Sequence, residues 1–282
     1  MLVRPTMDQD GLIPEKNEEN SNSTKQEGAS RPLIVIGWIL PMAILLLWQF
    51  GSRSGWLNPS LVPPPTQVVA ALIELMRDGV LIDHLWTSTL RVLVGSALGI
   101  IPGILFGAYN GLSRKAELFF DPTFQMVRTI PVLALTPLFI LWFGIGELPK
   151  VLLLAFATFF PAYINTFAGT RNVDRKLIEV GIVYDLSPLQ TMREIILPAA
   201  MPHVLTGVRY SLQVAWLVLI VAEMLGATAG IGFMIREAQS FMRTDRVMLG
   251  IIVFALAGKL VDNLLRWLEG WLLSWRESFE GK

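Results

Sequence analysis

The chain has no cysteine among its 282 residues, which removes disulfides, thiolate metal sites and cysteine nucleophiles together. Histidine is nearly absent: His84 and His203 are too few and too far apart in sequence for a metal cage. Charge is scarce as well, with 16% Asp, Glu, Lys and Arg where a soluble domain carries about 25%. The formal net charge is zero, so no basic surface invites nucleic acid. The first thirty residues contain no apolar core of the kind a cleavable signal peptide needs. Their stretch "DQDGLIPEKNEENSNSTKQEGAS" cannot bury enough apolar surface to offset its ordering entropy, and reads as a disordered tail. No Gly-rich loop ends in Gly-Lys-Ser/Thr, so the chain does not bind ATP by that motif. "GATAGIG" is no substitute, since no lysine follows it. No internal repeat is evident, which counts against a secondary transporter built from paired halves.

What remains is hydrophobic: 53% of the residues, with a mean hydropathy of +0.53. Apolar runs long enough to cross a bilayer, about 20 residues, occur six times, near residues 33–50, 85–109, 124–143, 148–167, 202–225 and 247–272. Many of the nine tryptophans fall near the ends of these runs, as interfacial anchors do. The expected fold is therefore an all-α polytopic membrane protein of six transmembrane helices. Residues 1–30 form a cytoplasmic tail, 31–84 the first span and an interfacial helix, 85–275 the core, and 276–282 a second tail. The third run holds Pro131 and Pro137, tolerated in lipid only where neighbours or a cavity re-satisfy the backbone, so it is a candidate pore-lining helix. Between the first two spans, "NPSLVPPPTQVVAALIELMRDG" predicts a short amphipathic helix capped by Thr66, lying at the interface.

A cytoplasmic N-terminus places twelve Lys and Arg of the short segments inside and six outside, as the positive-inside rule requires. Both termini and the connection between the fourth and fifth spans are then cytoplasmic. That connection, "NVDRKLIEVGIVYDLSPLQTMREIILPAAMP", reads as helix, break, helix. Asp174 caps the first helix; Leu186, Ser187 and Pro188 break it; a second helix stops at Pro198. Its apolar residues fit a partner groove or the lipid headgroups, and periodicity alone leaves both open.

Within the runs, Lys259 and Asp262 stand three apart and can neutralise each other. Arg91 lies some six residues into its run, shallow enough to snorkel. Counted from Asp121 and Pro202, where the third and fifth spans enter, Arg128 and Arg209 each lie seven residues in, roughly 10 Å at 1.5 Å per residue. From Arg209 a helical stripe runs through Gln213 and Trp216 to Glu223. No His or Asp/Glu cluster, Ser-Lys pair or metal triad suggests a membrane-embedded enzyme, so no catalytic and no metal-binding residues are assigned. No charged-filter motif suggests an autonomous anion channel.

The connecting loop resembles that of ABC-importer permeases, whose pattern is Glu-Ala-Ala, three residues, Gly, nine residues, Ile, any residue, Leu-Pro. Here Glu179-Val180-Gly181 is followed by Asp185 at the glycine position, then by Ile195 and Leu197-Pro198. The spacing matches while both alanines and the glycine are replaced. "VRTIPVLALTPLFILWFGIGE", "FPAYINTFAGTRNVD", "VAEMLGATAGIGFMI" and "ALAGKLVDNLLRWLE" are similar to the branch that imports aliphatic sulfonates, taurine, nitrate and related small anions such as bicarbonate. The resemblance extends from Pro32 to the C-terminus.

It implies the type I importer permease fold in the bacterial cytoplasmic membrane. A coupling helix between helices 4 and 5 would dock on an ATPase through Glu179, Gly181, Asp185, Leu186, Ile195, Leu197 and Pro198. It also implies a second copy of the chain, two ABC ATPase subunits holding ATP and Mg, and an extracytoplasmic binding protein facing "GATAGIG". No cofactor is implied for the chain itself. Helices three and five line the pathway in that family, which makes Arg128, Arg209, Gln213, Trp216 and Glu223 candidate pathway residues. The two arginines either form a ring that attracts anions or brace the helices. Asp185 is expected to keep the positive φ of the replaced glycine, because aspartate tolerates that conformation better than most residues.

Overall fold

The computed structural model describes residues 30–273, so the expected tails, 1–29 and 274–282, lie outside the described residues. The chain divides into two units, residues 1–59 and 60–282. In the first, helix α1 spans Ser30–Arg53 and contains Pro41. It ends where Gly55, at φ +81°, turns the chain and the Leu57 N–H returns to the Gly51 carbonyl at 2.9 Å.

The second unit is wholly helical among the described residues. Helix α2 (Pro65–Arg77) starts on Pro64 as N-cap, with Pro65 in the first turn, not on Thr66. Proline suits that position because its fixed φ is helical and its missing N–H would have had no partner there. The apolar face of α2 (Val68, Ala71, Leu75) is buried against α3 (Val80–Leu112) and α11 (Thr244–Leu272).

Among the described residues, four helices are long and apolar enough to cross a membrane: Val80–Leu112, Glu147–Arg171, Pro188–Gly226 and Thr244–Leu272. The expected third span is not one straight helix. It is α4 (Arg114–Val127), a short 3₁₀ turn at Val132–Leu135, and α5 (Thr136–Phe143), bent by 77° into a fifth candidate span. The prolines set the break. Pro131 caps the 3₁₀ turn and Pro137 sits in the first turn of α5, where no intrahelical donor is lost.

Helix α6 (Glu147–Arg171) is the centre of the bundle, packed between α3 and the helix ending at Gly226. Its Leu153, Leu154, Ala162 and Tyr163 are almost wholly buried. On α3, Gly95, Gly99, Gly103, Gly107 and Gly111 repeat every four residues and all face α6. A methyl at Gly103 would lie 2.6 Å from the Phe159 carbonyl oxygen, and one at Gly107 2.6 Å from that of Tyr163. This is the small-residue packing by which membrane helices bring their backbones together. Asn110 donates to the Tyr163 hydroxyl (2.9 Å), which donates to Asp121 (2.7 Å), fastening α4 to the same pair.

The expected stop at Pro198 does not occur. From α8 (Pro188–Thr191) the chain passes through a π-helical turn at Met192–Ile196 into α9 (Leu197–Gly226) without leaving the helix. The proline ring would meet the carbonyl four residues earlier in an α-helix. The wider π turn, in which Leu197 N–H bonds to Met192 O, relieves that crowding. The connecting loop and the fifth span thus share one helix, followed by α10 (Ile231–Ser240) and α11.

Candidate functional site

Three places gather the chemistry. The first is the connecting loop. Helix α7 (Arg175–Val183) is capped by Asp174, whose carboxylate accepts from Lys176 N–H at 2.9 Å. It ends in a left-handed turn with Asp185 at φ +52°. Asp185 N–H bonds to Ile182 O and Leu186 N–H to Gly181 O, both at 3.0 Å. Those two bonds make a Schellman motif with aspartate where glycine is usual. Ser187 and Gln190 then form a capping box that starts α8. Gly181 is buried because the Ile195 and Leu186 side chains close over it; a methyl there would lie 2.9 Å from Ile195 Cδ1. Glu179, Asp185 and Leu197 stay exposed, with Leu186, Ile195 and Pro198 half-buried. Val183, Tyr184 and Leu189 present large apolar surfaces, each at least 75% exposed.

The second place is a buried clamp around Arg91, 4% exposed. It does not snorkel. Its guanidinium donates to Glu147 at 2.5 and 2.6 Å, to Glu223 at 2.7 Å and to the Ala229 carbonyl at 2.6 Å. Lys150 adds a bond to Glu147 at 3.0 Å. Glu223, also buried, accepts from the Ser88 hydroxyl and from Gly232 N–H. Ser88 accepts from Ile231 N–H, and His84 accepts from Gly230 N–H through Nδ1 at 3.0 Å. The first three N–H groups at the start of α10 are therefore capped by side chains of α3 and α9. Any helix N-terminus needs such partners, and here they hold the "ATAGIG" turn. Gly230, at φ +114°, lies directly on the Glu223 carboxylate.

The third is a charged cluster between α9 and α11. Arg209 Nε donates to Asp262 at 2.9 Å and its Nη1 reaches Glu269 at 3.5 Å. Gln213 donates to the same Asp262 oxygen at 3.1 Å, and Arg266 to the other at 2.9 Å. Lys259, expected to be the partner of Asp262, is only its most distant neighbour at 3.7 Å.

The five pathway candidates thus separate. Arg209 and Gln213 meet at Asp262, and Trp216 lies one turn on with its ring against Phe254 at 5.3 Å. Glu223 is in the clamp. Arg128 caps the end of α4, exposed, and forms no ion pair among the described residues. Sequence reasoning missed Glu147 altogether, because it sits at the end of an apolar run and resembles an ordinary surface acid.

Residues 95–273 match the family described as "Binding-protein-dependent transport system inner membrane component". The chain belongs to that family. The permease is 45% identical over 271 residues to SsuC of Bacillus subtilis, named for aliphatic sulfonates transport, covering 96% of this chain and 98% of that one. It is 44% identical over 250 residues to the Escherichia coli protein of the same name, with 89% and 95% coverage. The taurine permease TauC of E. coli is 35% identical over 240 residues, with 83% and 87% coverage. Among solved structures, an amino acid ABC transporter matches with a TM-score of 0.59 at 19% identity, over 70% of this chain and 96% of that one. The methionine transporter MetNI in an inward-facing state matches at 0.53 and 19%, over 66% and 95%. These likenesses show the fold of an ABC importer permease in a multi-pass membrane protein.

Proposed function

We propose that this permease carries a small organic anion, an aliphatic sulfonate first of all, into the cytoplasm using ATP hydrolysed by partner subunits. The near full-length identity to permeases named for sulfonates carries the reading. Two copies would form the membrane part, with two ATPases holding ATP and Mg on the cytoplasmic side and a binding protein on the other. The exposed apolar group on α7 and α8 supports the docking role of the loop: Val183, Tyr184 and Leu189 are turned outward on a frame locked by two caps and a Schellman turn. Both termini would be cytoplasmic. Arg209 is engaged by two carboxylates and acts as a brace, which leaves Arg128 as the cation of the original pair that could draw anions.

The test is uptake of radiolabelled hexanesulfonate by cells that lack their own sulfonate permease and express this chain with its ATPase and binding protein. ATP-dependent uptake that excess taurine competes weakly is the expected result. Uptake independent of the ATPase would point to a channel and overturn the reading. Leu189→Arg should abolish uptake and ATPase co-purification while the permease still reaches the membrane.

A further inference from the structure

Lys259 lies near the middle of α11, about 20 Å from either end at 1.5 Å per residue, yet its side chain is 62% exposed. An ammonium facing acyl chains at that depth would cost about 2.5–3.5 kcal/mol on insertion scales. Its one neighbouring acid among the described residues, Asp262, lies 3.7 Å away and is shared. Asp262 is already taken on both oxygens, by Arg209 and Gln213 on one and by Arg266 on the other. The cluster holds three cations (Arg209, Lys259, Arg266) against two carboxylates (Asp262, Glu269). One positive charge is left over, and it belongs to the group held least closely.

Lys259 also stands at the edge of a cavity of about 390 Å³ between α9 and α11. Trp216, Leu217, Phe254 and Leu265 are among its apolar walls, and Gln213, Lys259 and Asp262 supply its polar groups. A space of this size with apolar walls and a few polar groups gathered together is what a small-molecule site requires. Its occupant must be negative at one end and apolar at the other.

We infer that this groove is an intramembrane subsite for an organic anion with an alkyl tail, and that Lys259 holds the anionic head. The inference rests on the sulfonate reading above and adds a position and a residue to it. Trp216 and Phe254 take the alkyl chain. Asp262, fixed by three partners, keeps Arg209 and Arg266 from competing for the anion. It also sits near enough to Lys259 to keep the anion from binding too tightly, as a carrier requires.

The test is binding of hexanesulfonate to the purified full chain in zwitterionic-lipid nanodiscs, followed by calorimetry, with particle mass recorded alongside. Lys259→Gln should weaken binding at least tenfold and Lys259→Arg should retain most of it. Hexan-1-ol, with the same tail and no charge, should bind far more weakly. Folding is not at risk, since removing a surplus charge from a span eases insertion. Unchanged affinity in Lys259→Gln overturns the inference. So does loss of the dimer in that variant, which would make Lys259 a contact between copies, or displacement of hexanesulfonate by anionic lipid but not by other sulfonates. Wild-type uptake of hexanesulfonate by the assembled transporter separates the two readings. If uptake occurs and Lys259→Gln transports equally well, the groove fails and the sulfonate function stands. If no sulfonate is taken up, the function itself falls.

Discussion

Both ionic clusters join Arg and Lys to carboxylates, and they differ in closure. In the clamp, Arg91 and Lys150 face Glu147 and Glu223, two charges against two, and all but Glu147 are at most 4% exposed. In the α9–α11 cluster the members are 11 to 62% exposed and one cation is in excess. Charge removed from water must be matched group for group, because an unmatched one carries its full desolvation cost. The clamp satisfies that condition and can therefore be permanent. The second cluster does not, which is the signature of a place that receives something.

Substitutions can break this contrast. Arg91→Met strands Glu223 in the interior, and stranding one member of a buried pair costs about 3–5 kcal/mol. The expected outcome is loss of most folded protein in a thermal melt read by size-exclusion chromatography, with partial recovery in the Arg91→Met/Glu223→Gln double variant. A melt unchanged in the single variant would mean that the clamp is no more closed than the other cluster. Arg209→Met should do less, about 1.5–3 kcal/mol, the worth of a hydrogen bond to a charged group, because the buried Asp262 keeps Arg266 and Gln213 as partners. The smallest effect is expected far from both. Asp185→Gly should leave melting and ATPase coupling within error, since the turn already has φ +52° and glycine adopts it freely. A large loss of coupling would show that the carboxylate touches the partner.

Much of the architecture was legible. The apolar runs located the long helices, and the loop's helix, break and helix appeared with Asp174 at the first cap, while the Ser187 capping box had looked like part of the break. Asp185 could be placed at a positive φ from one replaced glycine in a spacing pattern. Proline was misread in both directions. Pro131 and Pro137 each begin a new element after a break in what had looked one continuous helix, and Pro198 is crossed by one that had looked finished. Composition marks a backbone problem without revealing whether a bend or a π turn resolves it. The charges were less legible still. Arg91 meets Glu147 and Glu223 across 56 and 132 residues of chain, so local spacing could only pair Lys259 with Asp262 and leave Arg91 to snorkel.

The glycine row on α3 has a mechanical consequence. Each glycine takes in backbone or a small side chain of α6, and the row repeats every four residues, about 6 Å of rise. Sliding α3 along α6 by less than that step would drive side chains into backbone, so the pair behaves as a single girder. Movement during a transport cycle has to be borne by segments outside it. The 77° elbow between α4 and α5 and the π turn that joins the loop to α9 are the places outside this pair where the regular α-helical ladder is interrupted.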